Sequence, residues 1–246
     1  MEDEPNQRGT EMPQPPLLLA PTLERTWAIF RKHWILFTLI HLTVALPLDL
    51  LVGFVSTQVD PVKNFYQFSM FVTVISVIFG WVGHAAVFAA LARIWSGGAP
   101  TYRHAWFVAM ERLGSIVLAN VYMLIFIAAG SAMCIVPGIL VMVLLAFTLC
   151  ALVDEKCDAL QALERSATLV QGRFLQVFGY LLLVFSSLFL VFLFLYALAI
   201  VVMLFLSHWL VGAIIGPLVS LPFLFGIVYV FVLYRTLRAP VPDAEV

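Results

Sequence analysis

The sequence predicts an all-α fold: a polytopic membrane helix bundle of six transmembrane helices with cytoplasmic amphipathic interfacial helices. Three observations carry this expectation. Of 246 residues, 63% are hydrophobic and only 11% charged, where a soluble domain carries roughly 25% charged residues. The apolar residues come in blocks, several of them longer than the ~20 residues needed to cross a ~30 Å hydrocarbon core. The basic residues fall on alternate ends of those blocks, a pattern that a miscounted span would scramble.

The elements follow in order. Residues 1–21 are acidic and Pro-rich, without a basic stretch followed by an apolar one. They read as a disordered cytoplasmic tail rather than a secretory signal, with the first span as an uncleaved anchor. Thr22, after Pro21, is expected to cap an amphipathic lead-in. There Leu23, Trp27, Phe30 and Trp34 share one face, with Glu24, Arg25, Arg31 and Lys32 off it. The first apolar block covers 34–55. A polar stretch with Asp60, Pro61 and Lys63 separates it from the second, 68–94. A Gly- and Pro-bearing loop then leads to a weaker amphipathic stretch of Tyr102, Ala105, Trp106, Ala109 and Leu113. The third and fourth blocks are nearly fused, from 113 to 153, and make two spans only with a tight turn. Gly130, Ser131 and the Pro137–Gly138 pair supply the turn candidates. Pro137 is placed in the first turn of span four, where its missing N–H costs nothing.

A third lead-in runs from 154 to 173. Asp158 with Gln161 reads as a capping box, and Leu160, Leu163, Ala167 and Val170 as the apolar face. The carboxylates Asp154, Glu155 and Asp158 are assigned to this helix as caps favoured by its dipole. Gly172 is expected to stop it with a positive φ. The fifth block, 174–205, is longer than one span needs and is expected to tilt. His208 and Trp209 mark the next interface. The sixth block ends near Tyr234, so that 22–238 forms one six-span domain and 239–246 a short tail. The first and third lead-ins resemble each other (Leu23-Glu24-Arg25-Thr26 against Leu163-Glu164-Arg165-Ser166), which suggests three parallel units of interfacial helix plus hairpin.

Charge gives the orientation. Arg8, Arg25, Arg31 and Lys32 flank the first span; Arg93, Arg103 and Arg112 lie in the second connection; Lys156, Arg165 and Arg173 in the fourth; Arg235 and Arg238 at the end. These are twelve of the thirteen Lys and Arg residues, and only Lys63 lies on the other side. The positive-inside rule then puts both termini in the cytoplasm. The net charge of −1 points to no partner beyond the lipid bilayer and an unidentified membrane protein, and no basic patch supports nucleic-acid binding.

Candidate chemistry is sparse. His41, Asp49 and His84 are ionisable side chains inside spans, each a functional candidate because an intramembrane charge costs roughly 3 kcal/mol on insertion scales. Against this, a histidine can be a neutral interhelical hydrogen-bonding group, and Asp49 can be solvated at an interface beside the Pro47 kink. The small-residue ladder Gly212, Gly216 and Ser220, beside Pro217 and Pro222, reads either as close packing or as a broken helix lining a pathway. Cys134, Cys150 and Cys157 lack metal or disulfide spacing. Asp154 and Glu155 are adjacent and diverge, a poor acid–base pair. Ser166 has no base nearby in sequence, so replacing it with alanine is expected to do little. No cofactor or metal motif is present.

One stretch carries a family signal. Pro137–Gly138 opens span four and Val153-Asp154-Glu155 closes it; Ala162-Leu163-x-Arg165-Ser166-x-x-Leu169-x-x-Gly172-x-Phe174 follows, with Trp27, Phe30 and Trp34 in the first lead-in. This resembles the membrane domain found in some glycerophosphoryl diester phosphodiesterases and in related six-span bacterial proteins. The resemblance implies a membrane module of the bacterial inner membrane and no catalytic residues, since in that family the chemistry belongs to a separate soluble domain. The leading expectation is therefore a non-catalytic integral inner-membrane protein with an accessory or scaffold role in envelope or lipid physiology. The alternative is a small-molecule or lipid transporter. A continuous polar cavity at the midplane favours transport, and a dry bundle favours the scaffold.

Overall fold

The computed structural model describes residues 18–58, 63–205 and 209–238. The greater part of the expected N-terminal tail, Asp60 and Pro61, His208 and the C-terminal tail lie outside them. Ten helices are described: α1 (Leu19–Gln58), α2 (Phe65–Trp95), α3 (Tyr102–Glu111), α4 (Leu113–Met133), α5 (Ile135–Leu144), α6 (Thr148–Asp154), α7 (Ala159–Gln171), α8 (Phe174–Phe205), α9 (Trp209–Val219) and α10 (Pro222–Arg238). Six helical stretches are long and apolar enough to cross a membrane: α1, α2, α4, α5 with α6, α8, and α9 with α10. The described residues contain no strand.

Each odd-numbered span is led in by a helix that ends in a break. Inside α1 the break is at His33 (φ −122°, ψ 16°). Between α3 and α4 it is at Arg112 (φ −105°, ψ 14°), and between α7 and α8 it is the Gly172–Arg173 turn. A large apolar residue follows each time: Trp34, Leu113 and Phe174. The order of lead-in, break and span thus occurs three times.

The first lead-in differs from expectation in two ways. It starts at Leu19, because Pro21 falls in the first turn where no N–H is needed. Thr22 is therefore inside the helix, donating its hydroxyl to the Leu18 carbonyl (2.9 Å), and Thr26 does the same to Thr22 (2.7 Å). With their hydroxyls satisfied locally, both threonines are buried, while Trp27 and Trp34 face outward. Leu23 and Phe30 of the expected face pack on the core, so only its tryptophans are turned outward.

Spans three and four form the tight hairpin that the fused block requires. Only Cys134 separates α4 from α5, in extended conformation (φ −173°, ψ 160°). Pro137 takes the expected place in the first turn of α5. Gly130 and Gly138 touch: a Cβ on Gly130 would lie 3.2 Å from the Gly138 Cα and 3.2 Å from the Pro137 carbonyl oxygen.

The core sits at the basic end of the bundle. Val82–Leu91 of α2, Cys150–Val153 of α6 and Val228–Tyr234 of α10 are buried there nearly without interruption, Gly83 and His84 excepted from the apolar run. Phe88 stacks on Phe231 (centroids 5.9 Å apart). The Arg25 guanidinium lies 4.0 Å from the Trp95 ring centroid and that of Arg235 5.7 Å from it, so the starts of α1 and the ends of α2 and α10 meet at one end. By contrast α8 is exposed along most of its length, as a lipid-facing helix is.

Candidate functional site

Three intramembrane candidates far apart in sequence line one cavity of about 450 Å³. Span one contributes His41, Val44, Ala45, Leu48 and Asp49, whose spacing puts them on one helix face. Span two contributes Ser76, Gly80, Gly83, His84 and Val87, and α8 contributes Phe192, Tyr196 and Ala199. The broken sixth span closes it with Ile215, Gly216, Val219, Ser220 and Leu224. On α2 these positions lie around the middle of the helix; on α1 and α8 they lie in the second half, and on the sixth span they surround the break between α9 and α10.

Glycine makes the room. Gly83 lets α1 and α2 close, since its Cβ would lie 3.7 Å from Val44 Cβ. Gly216 admits the Asp49 side chain, whose Oδ2 would be 2.7 Å from a Cβ there. Gly80 has nothing within 4 Å of the corresponding point, so free volume remains. Pro217 lies within α9, where it removes one intrahelical hydrogen bond, and the helix breaks at Ser220–Leu221. Gly216 and Ser220 of the ladder pack on α1 and line the cavity beside the break in the sixth span.

Ser220 donates to the Pro217 carbonyl (2.9 Å), and its Oγ lies 2.9 Å from His41 Nε2. With the single hydroxyl proton on Pro217, Ser220 accepts from His41 Nε2–H and leaves the lone pair on Nδ1. His41 is therefore an interhelical hydrogen-bonding group as well as a cavity wall. Asp49 and His84 make no hydrogen bond or ion pair with another described residue. Among the described residues no three His, Cys, Asp or Glu side chains converge tightly enough to hold a metal ion, so the three groups surround a ligand-sized space rather than a point. The cysteines are free thiols.

Asp154, Glu155, Arg165 and Ser166, part of the motif that carries the resemblance, lie in a second cluster at the basic end. Span four is broken between α5 and α6, and Ser166 of α7 clips the break. Its hydroxyl donates to the Leu144 carbonyl (2.7 Å) and accepts the Phe147 N–H (3.1 Å). Ser166 is fully buried, so the expectation that it is dispensable is wrong. The buried face of α7 is Ala159, Ala162, Leu163, Ser166 and Val170. Leu160 is exposed, because the face has turned to bring the serine inside. Asp158 is the N-cap as expected, its N–H bound to Gln161 Oε1 (3.3 Å).

Asp154 and Glu155 are not caps of α7. Asp154 pairs with Arg235, and with Arg238 Nη1 at 2.8 Å. Glu155 accepts the Tyr234 hydroxyl (2.5 Å) and lies 3.6 Å from Arg238 Nε and 3.3 Å from Arg165 Nε. Two arginines in the last turn of α10, where its dipole welcomes cations, supply more favourable charge than the start of α7 does. Partial burial pushes the Glu155 carboxyl up, but the Tyr234 hydrogen bond and the charges of Arg238 and Arg165 outweigh it and hold it below its ordinary value. Arg112 Nη1 completes the cluster on the Leu152 carbonyl (3.3 Å). Gly172 is also corrected: its φ is −71° and nothing lies within 4 Å of its Cβ position. The chain passes from α7 to α8 through a near-helical turn that needs no left-handed residue.

Fold and cavity together define a class, a polytopic α-helical membrane protein with a largely apolar cavity that carries three ionisable side chains. Comparison of the chain with protein-family models, curated proteins and solved structures finds no match. Sequence reasoning named all three ionisable residues and the Gly216–Ser220 part of the lining, but not Ser76 or Tyr196. A signal was present: His41, Ala45 and Asp49, and Ser76, Gly80 and His84, are two runs at intervals of four, each one face of a helix.

Proposed function

We propose that this protein is a small-molecule or lipid transporter of a bacterial inner membrane, with both termini cytoplasmic, that holds its cargo in this cavity. The observation that carries this is the shared lining: His41, Asp49 and His84 come from two spans and face one space of about 450 Å³. Ionisable groups in a membrane are costly, and they mark pathways when they line a cavity. The scaffold reading calls for a dry bundle, and the cavity weighs against it. The resemblance to the phosphodiesterase-associated membrane domain supports the bacterial setting, and the distribution of Lys and Arg supports the orientation.

The Ser220–His41 pair has the reach of a nucleophile and its base. The backbone N–H groups of residues 220, 221, 223 and 224 are all taken up in local turns, so no donors face an oxyanion there. The pair is read as a helix-to-helix tie.

Transport requires the cavity to be reached from both sides in turn. With the native cysteines replaced, Ser76→Cys should react with a small charged thiol reagent in right-side-out and in inside-out vesicles. Lys63→Cys should react only in the former and Arg103→Cys only in the latter. Reaction of Ser76→Cys from one side alone would reduce the site to a receptor, and reaction from neither would remove the hydrated cavity.

A further inference from the structure

Resting on that cavity reading, we propose that the cargo is a single-chain amphiphile with a cationic head, taken laterally from the leaflet on the Lys63 side. The ammonium group sits against Asp49, and the hydrocarbon chain lies in an apolar groove that adjoins the cavity.

The groove is a second concavity, of about 560 Å³, between α1, α8 and the broken sixth span. Among its described lining residues Thr38 alone carries a side-chain hydroxyl; Trp34, Leu195, Leu221 and Phe225 are typical of the rest. It adjoins the cavity. Leu224 lines both, and on α1 the groove residues run up to Thr38 where the cavity begins at His41. Its far end is closed by rings, with Trp27 and Phe30 centroids 6.3 and 5.7 Å from that of Phe225. Thr38 and Asp49 are eleven residues apart, or ~17 Å along a helix, a span suited to a long alkyl chain and not to a small solute.

Charge selects the head group. Among the described residues the cavity lining has one carboxylate, two imidazoles and no lysine or arginine. Asp49 makes no ion pair with another described residue, and a cation brought by the ligand offsets the cost of partly burying a carboxylate. An ammonium from the ligand balances it and donates hydrogen bonds to imidazole lone pairs. Direction selects the leaflet. Asp49 lies ~22 Å along the helix from Trp34, toward the Lys63 end, and the groove runs from there toward the basic end. A head on the Lys63 side with its chain pointing inward is the orientation of an amphiphile in that leaflet.

The test is thermal unfolding of the full chain in zwitterionic nanodiscs with three probes: dodecylammonium, dodecanoate and butylammonium. Dodecylammonium should raise Tm by several degrees; dodecanoate and butylammonium should not. Asp49→Asn should abolish the shift, and so should Leu221→Trp, which fills the groove. Should Leu221→Trp fail to fold, Thr38→Trp narrows the same groove from α1. Equal stabilisation by dodecanoate, or a shift surviving in Asp49→Asn, overturns the cationic head. Equal stabilisation by butylammonium overturns the groove. Either leaves the cavity reading standing, since that is tested separately by the reactivity of Ser76→Cys. No shift with any probe, while Ser76→Cys still reacts, overturns the amphiphile proposal alone.

Discussion

At Ser166 one hydroxyl takes both backbone groups stranded by the break in span four, the Leu144 carbonyl and the Phe147 N–H. Removing it leaves a buried donor and a buried acceptor unpaired, at ~1–3 kcal/mol each. Ser166→Ala should therefore lower Tm in detergent clearly, and an unchanged Tm would contradict the clip. The sequence hid this role because the break runs through Leu145, Ala146 and Phe147, with no glycine or proline to mark it. Gly172 erred the other way: a glycine at a helix end suggests a left-handed cap, yet its φ is −71°, and Gly172→Ala should fold at wild-type yield. Glu155 predicts a pH dependence. Its folded carboxyl titrates below the ordinary 4.5, so its contribution to stability is present above that value and is lost as pH falls through the lowered one. The Tm advantage of the wild type over Glu155→Gln should hold at neutral pH and vanish in acid. An advantage that persisted in strong acid would contradict the ion-pair assignment.

Among the elements, the spans were legible because length and apolarity are properties of blocks, insensitive to local detail. The α4–α5 hairpin was legible for a more specific reason: fused blocks demand a turn, and Gly130 and Pro137–Gly138 were the residues able to supply it. Their contact gives a prediction. A Cβ on Gly130 meets backbone at 3.2 Å, which cannot swing aside as a side-chain tip can. Gly130→Ala should cost ~1–3 kcal/mol by forced separation, read as lower Tm, whereas Gly114→Ala, with nothing within 4 Å, should cost little. Equal Tm for the two variants would sink the close-contact account. The lead-in faces were the least legible. Hydrophobic periodicity assumes that the apolar side turns inward, and in a bilayer the outward side is apolar too. So Trp27 and Trp34 face out while Thr22 and Thr26 are buried.

At the scale of the molecule, the thirteen basic residues gave the number of crossings, and the structure brings the starts of α1 and the ends of α2, α6 and α10 together through Trp95, Asp154 and Glu155. That end is the packed core. The cavity lies beyond it, between α1, α2, α8 and the sixth span, with close approaches to α1 at Gly83 and Gly216. No sequence pattern could pair His84 with Asp49, because their proximity depends on how span two packs on span one. The most direct test is a disulfide at that contact. Val44 Cβ lies 3.7 Å from the Cβ position of Gly83, within the ~3.5–4.5 Å that a disulfide requires. In a background without the native cysteines, Val44→Cys with Gly83→Cys should cross-link nearly completely under mild oxidation in membranes. Failure to cross-link, with each single variant folded, would place His41 and Asp49 on a different face from His84 and contradict the cavity.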